Sequence, residues 1–145
     1  MKRADELQSL SREHHDSLSM AMRILRIAKS GSNDELADMV ITVQKYYNDE
    51  LEIHFHHEEQ TLFATIFKQY PDLRPLSIQL LKEHGAIRLL CQRMSVENAA
   101  ESLTEFADLL KSHTRLEERE LFPKIEQCFS AEELALAHNY QYEPL

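Results

Sequence analysis

His54-Phe55-His56-His57-Glu58-Glu59-Gln60-Thr61-Leu62-Phe63 and His113-Thr114-Arg115-Leu116-Glu117-Glu118-Arg119-Glu120-Leu121-Phe122 spell one pattern, HxxxEExxLF, twice in a chain of 145 residues. The agreement reaches upstream. Tyr47 and Leu51 precede His54 by seven and three residues, and Phe106 and Leu110 precede His113 by the same distances. A His and a Glu four apart share one face of an α-helix, about one turn apart along its axis. Here that face is also the apolar one, and unpaired imidazoles and carboxylates are costly to bury. Two such pairs facing each other across a core call for a cation between them. Glu58 and Glu117 can each bridge two metals, with His54 and His113 capping one metal each.

Working outward, the chain divides into helices. Leu7, Leu18, Met22, Leu25 and Ala28 recur at helical spacing and predict a first helix from Asp5 to Lys29, ending near Gly31. Ser32-Asn33-Asp34 supplies capping side chains for a second, which carries the first motif and stops at Tyr70-Pro71. A third begins near Pro75, with Leu76, Leu80, Ile87, Leu90 and Met94 as its stripe. The fourth follows Ser95-Val96-Glu97-Asn98 and carries the second motif, with Pro123 expected to kink or end it. Ser130-Ala131-Glu132-Glu133 is a capping box for a short fifth helix. Two Gly and four Pro in the whole chain agree with an all-α fold. Long helices and short loops predict an up-down-up-down four-helix bundle with a short extra C-terminal helix, a single domain over 1–145.

Helices 1 and 3 complete the constellation. Helix 3 has one histidine, His84. Apolar residues lie at −8, +3, +7 and +10 from it: Leu76, Ile87, Cys91 and Met94. Helix 1 offers His14 and His15. The same offsets from His15 give Leu7, Leu18, Met22 and Leu25, all apolar; from His14 they give Glu6, Ser17, Ala21 and Ile24. The spacing therefore selects His15, although His14 lies nearer the middle of the helix's overall stripe. The expected metal ligands are His15, His54, Glu58, His84, His113 and Glu117. Glu59 and Glu118 read as surface charges, His56 as exposed, His57 as a neighbour able to line the site, and His138 as ordinary. Tyr47 should face the core near the metals, its hydroxyl either packing or bonding a ligand. Four imidazoles and two carboxylates suit iron, manganese or zinc, and suit magnesium or calcium poorly.

Composition excludes several other functions. A net charge of −9 repels phosphate backbones, so no nucleic-acid partner is expected. No apolar run reaches the length of a membrane span, so no membrane partner is expected either. The segment MKRADELQSL has no apolar h-region, which predicts a cytoplasmic protein, and Cys91 and Cys128 read as free thiols. Neither cysteine has a candidate base, and two scattered glycines make no phosphate-binding loop.

The paired HxxxE motifs, a lone His on each of helices 1 and 3, and Leu121-Phe122-Pro123 at the close of helix 4 resemble the hemerythrin-like, HHE cation-binding family over roughly residues 10–125. The resemblance implies a di-iron centre, two iron ions bridged by two carboxylates and an oxo or hydroxo group, with the six residues above as ligands. The chain departs from oxygen-carrying hemerythrin twice. Arg88 stands where that family has a second helix 3 histidine, and Glu117 lies four residues after His113 where that family has an Asp at five. The loss of one nitrogen ligand opens a coordination position. That moves the expectation from oxygen storage toward iron handling, or binding and sensing of dioxygen or nitric oxide. A sensor without an output domain would need a partner protein, and a homodimer is compatible with a bundle of this size. The alternatives are a di-iron enzyme acting on dioxygen, peroxide or nitric oxide, and a bundle in which metal contributes folding energy alone.

Overall fold

The apolar stripes become four rods in the computed structural model, which describes residues 2–143. The first rod is α1 (Gln8–Ser30), entered through a 3-10 turn at Asp5–Leu7. The second is built from α2 (Asn33–Tyr46), a π-helical turn (Tyr47–Leu51), α3 (Glu52–Glu58), a second π turn (Glu59–Phe63) and α4 (Ala64–Gln69). A 3-10 turn at Pro71–Leu73 leads into the third rod, α5 (Arg74–Arg93). The fourth joins α6 (Ala99–Leu116), a π turn (Glu117–Leu121) and α7 (Phe122–Cys128), and α8 (Ala131–His138) follows. Among the described residues there is no strand, and no helix is long and apolar enough to cross a membrane.

Local chemistry sets the rod ends. Ser32 and Glu35 form a reciprocal capping box: the Ser32 hydroxyl accepts from the Glu35 amide at 3.2 Å, and the Ser32 amide donates to the Glu35 carboxylate at 3.0 Å. Ser130 and Glu133 repeat it at 3.1 and 2.8 Å, as the sequence predicts for the short last helix. α1 ends where Gly31 turns to an extended conformation, and a side chain is disfavoured there because a Cβ would lie 2.6 Å from the Ile27 carbonyl oxygen. Pro123 does not end the fourth rod: it sits in the first turn of α7, which runs on to Cys128. Proline lacks an N–H and crowds the preceding turn. The wider π turn at Glu117–Leu121 lies just before it and relieves that conflict.

The core falls into two apolar clusters. One gathers Ala21, Ile24, Val43, Leu51, Phe55, Ile87, Leu103, Phe106 and Leu110 with their neighbours. The other gathers Leu7, Leu10, Leu62, Phe63, Ile66, Leu80, Leu121, Phe122 and Ile125 with theirs. Along α1 and α5 the chain passes from the second cluster to the first; along the second and fourth rods it passes from the first to the second. Successive rods therefore alternate in direction, the up-down-up-down order the sequence predicts. Between the clusters, at the same level on every rod, lies a belt of buried polar side chains: His14, His54, Glu58, His84, His113 and Glu117.

Candidate metal centre

Each rod delivers its histidine to that belt. His14 comes from α1, His54 from α3, His84 from α5 and His113 from α6. Glu58, at the end of α3, and Glu117, opening the π turn after α6, reach the same centre and are fully buried. His14, not His15, is the helix 1 residue brought in: His14 is 2% exposed, and His15 points to solvent. The reading from apolar offsets failed because apolar did not mean buried. Met22, which supported His15, is 56% exposed. Ser17, which counted against His14, is buried with its hydroxyl bonded to that of Tyr46 at 2.7 Å. In α1 the buried residues around His14 are Leu10, Ser17, Ala21 and Ile24.

The donor atoms converge as two overlapping groups, His14–His54–Glu58–Glu117 and His84–His113–Glu58–Glu117, with the ligand atoms of each group within 4.8 Å of one another. His14 Nε2 lies 2.8 Å from Glu117 Oε1 and 3.2 Å from Glu58 Oε2. His54 Nε2 is 3.3 Å from Glu58 Oε2, and His84 Nε2 is 3.2 Å from Glu58 Oε1. His84 and His113 Nε2 lie 3.8 and 3.5 Å from Glu117 Oε2. Ligands about 2.1 Å from a shared ion, at tetrahedral or octahedral angles, stand roughly 3.0–3.4 Å apart. Three of the six separations, 3.2, 3.3 and 3.2 Å, fall in that range, and the other three, 2.8, 3.5 and 3.8 Å, lie on either side of it. Both groups contain two imidazoles and share both carboxylates, so Arg88 in place of a histidine leaves the two positions with equal donor sets.

The outer nitrogens decide the tautomers. His14 Nδ1 donates to Glu118 at 2.6 Å, His54 Nδ1 to Glu13 at 2.8 Å, His84 Nδ1 to Glu59 at 2.7 Å and His113 Nδ1 to Glu83 at 2.8 Å. An ionised carboxylate only accepts, so each Nδ1 carries a proton. A neutral ring then turns a bare Nε2 lone pair inward. All four Nε2 atoms, and all four oxygens of Glu58 and Glu117, are buried without a hydrogen-bond partner. Eight orphaned donors facing one another are the arrangement a cation pair resolves, and the carboxylate behind each ring is the support metal-bound histidines use.

Without metal, protons hold the cluster together. Burial disfavours charge on every one of these groups, but their mutual attraction outweighs it. For His113, burial pulls downward while Glu117 and Glu83 raise the pKa to about 9. Burial and the neighbouring Glu58 push Glu117 upward, yet His113 and His14 hold it at about 2. His14 and His84 are likewise raised well above the ordinary value, and Glu58 is held well below it.

Glu13, Glu59, Glu83 and Glu118 went unrecognised in the sequence, and Glu59 and Glu118 are not the plain surface charges expected there. A signal for them existed. Glu precedes both His14 and His84, and each of those glutamates supports the histidine of the following rod. The second Glu of each HxxxEE supports a histidine of α1 or α5. His56 is partly buried rather than exposed, and its Nδ1 bonds the Tyr140 hydroxyl. His57 does not line the site: its Nε2 bonds the Ala137 carbonyl at 2.7 Å. Tyr47 is buried, but its hydroxyl bonds Glu52 and accepts from Arg88 Nε at 3.1 Å, so it does not reach the donors.

A search of the curated proteins and a search of the solved structures each return no significant match. The family model described as the hemerythrin HHE cation-binding domain matches residues 5–125, a span that contains all six inward donors and the four supporting glutamates. The chain belongs to the hemerythrin HHE cation-binding domain family.

Proposed function

We propose that the protein holds two iron ions, with His14, His54, Glu58, His84, His113 and Glu117 as ligands, and binds dioxygen or nitric oxide there without turning it over. The observation that carries this reading is the set of eight buried, unpartnered donor atoms, four imidazole nitrogens and four carboxylate oxygens, arranged as two groups that share both carboxylates. That mixture suits iron, with manganese and zinc as competitors, and is poor for magnesium or calcium, which favour oxygen ligands alone. Bound iron supplies Lewis acidity and one-electron chemistry. The chain's own part is orientation and exclusion of water: four outer carboxylates fix the rings, and apolar clusters close the site above and below. Four protein donors per ion leave room for a small ligand. A cavity of about 140 Å³, lined in part by Glu13, Ser17, Tyr46 and His54, brings the outside up to one edge of the site.

The test is metal content and an optical spectrum of protein purified from iron-supplied cells, before and after air and nitric oxide. About two irons per chain, with near-ultraviolet bands that change on gas exposure, is the expected result. Zinc, a single ion or none, with no gas response, would overturn it.

Two further results follow from the same ligand set. His14→Ala should weaken zinc or iron binding by more than tenfold, because even the loss of a supporting residue behind a ligand costs 10–100-fold. His15→Ala should leave binding unchanged and shift stability by no more than about 0.5 kcal/mol. Competition against a chromophoric chelator reads the first effect, and thermal unfolding reads the second. Loading should also release protons. At pH 7 His113, raised to about 9, is protonated in the metal-free chain, and ligation requires a bare Nε2. Proton release into weak buffer should diminish as the starting pH is raised through about 9. Proton uptake at pH 7 would contradict ligation by the imidazoles.

A further inference from the structure

Arg88 lies one turn past His84 on α5 and grips what touches that histidine. Its Nη1 is 3.1 Å from Glu59 Oε2 and its Nη2 3.3 Å from Glu59 Oε1. Its guanidinium carbon sits 5.5 Å over the Phe55 ring. Glu59 is the carboxylate that accepts from His84 Nδ1, and Phe55 stacks on the His84 ring with centroids 3.9 Å apart and planes at 13°. Glu52 and the Tyr47 hydroxyl hold the guanidinium from its other edge, at 3.2 and 3.1 Å.

The same device appears on the opposite side of the bundle, from an unrelated part of the chain. Arg3 Nη2 is 3.2 Å from Glu118 Oε1, and the guanidinium carbon lies 5.5 Å over Phe122. Glu118 accepts from His14 Nδ1, and Phe122 lies 5.1 Å from the His14 ring. Glu126 anchors Arg3 at 2.6 Å. Glu13 and Glu83, which support His54 and His113, form no ion pair with a Lys or Arg among the described residues. The arginines therefore serve the histidines of α1 and α5 alone, one in each donor group.

We propose that Arg88 is a positioning residue for His84, and Arg3 for His14: each clamps both the carboxylate and the aromatic ring that aim the imidazole at the centre. This inference rests on the ligand set proposed above. A freely turning glutamate side chain holds a ring poorly. At Arg88 the guanidinium holds both oxygens of Glu59 and fixes its rotamer, and the flat stack of Phe55 fixes the His84 ring plane. At Arg3 it holds one oxygen of Glu118, whose other oxygen accepts from Ser11 at 2.8 Å and from His14, and Phe122 meets the His14 ring at 33°. If these were ordinary exposed ion pairs, removing one would change little.

Zinc titration against a chromophoric chelator tests this, with unfolding of the metal-free chain followed by circular dichroism alongside. In a His14→Ala background the remaining tight ion depends on His84, and Arg88→Ala should weaken it about tenfold or more. In a His84→Ala background Arg88→Ala should have no effect on the remaining ion, while Arg3→Ala should weaken it. Arg88→Lys should recover part of the loss, and Arg88→Ala should cost less once Glu59→Gln is present, the remainder being the share carried by Phe55. If Arg88→Ala does not fold, Arg88→Met, which keeps the length and the cover over Phe55, should show a smaller loss confined to the same ion. Equal weakening in both backgrounds, or none in either, overturns the inference while the metal reading stands. Fewer than two zinc ions on the unmodified chain overturns that reading and the inference with it.

Discussion

Replacing Glu58 by alanine is expected to abolish tight binding of both metal ions, whereas His84→Ala removes only one. The difference comes from sharing. Glu58 Oε2 faces His14 and His54, and its Oε1 faces His84, so one side chain serves both donor groups. Glu117 does the same from the opposite rod, with Oε1 on His14 and Oε2 on His84 and His113. A histidine belongs to one group alone. The metal-free Glu58→Ala chain should also be destabilised by about 3–5 kcal/mol, the usual result of leaving buried charges without their counter-charge. Glu58→Gln keeps the shape and separates the two effects: weak binding in a folded chain isolates the lost charge. Zinc stoichiometry by elemental analysis after gel filtration is the measurement. Retention of one ion at unmodified affinity in Glu58→Ala would show that the carboxylate is not shared.

The second large effect is thermal. Six ionisable groups in the middle of the core are a burden unless a cation or a set of protons balances them. Metal that binds only the folded chain stabilises it by about 4 kcal/mol at a free concentration a thousand times the dissociation constant. At roughly 2–4 °C per kcal/mol for a chain of this size, the melting temperature should rise by about 10 °C or more on loading, and fall back on chelation. The increment should shrink as pH falls, because protons compete for the imidazoles and then for the carboxylates. Scanning calorimetry at pH 7 and pH 5 checks both statements. An unchanged melting temperature at saturating metal would mean that the ions do not select the folded state.

Much of this was legible in the sequence, for a physical reason. A repeated HxxxE on an apolar stripe states both the helical period and its contradiction, polar groups where burial is required, so fold and centre could be read together. The capping side chains at Ser32-Asn33-Asp34 and the capping box at Ser130 depend on residues within three of one another and are local enough to read directly. What could not be read depends on neighbours distant in sequence. The choice between His14 and His15 turned on Ser17, whose burial is made acceptable by Tyr46 on another rod. The roles of Glu13, Glu59, Glu83 and Glu118 likewise depend on which rods lie side by side. The π turns at Tyr47–Leu51, Glu59–Phe63 and Glu117–Leu121 are not encoded by any propensity, and the tolerance of Pro123 follows from the last of them.

The pattern of outer carboxylates divides the labour of the centre between two hairpins. Residues 8–69 and 74–128 are joined across the centre of the chain by the short turn around Pro71. Each hairpin supports its own second histidine, Glu13 holding His54 in one and Glu83 holding His113 in the other. For its first histidine each borrows: His14 leans on Glu118, and His84 leans on Glu59. Neither hairpin can complete a donor group alone, since Glu58 and Glu117 each belong to both. The interlock ties the aim of the first histidine in each hairpin to the docking of the other half, because the carboxylate that holds its ring comes from there.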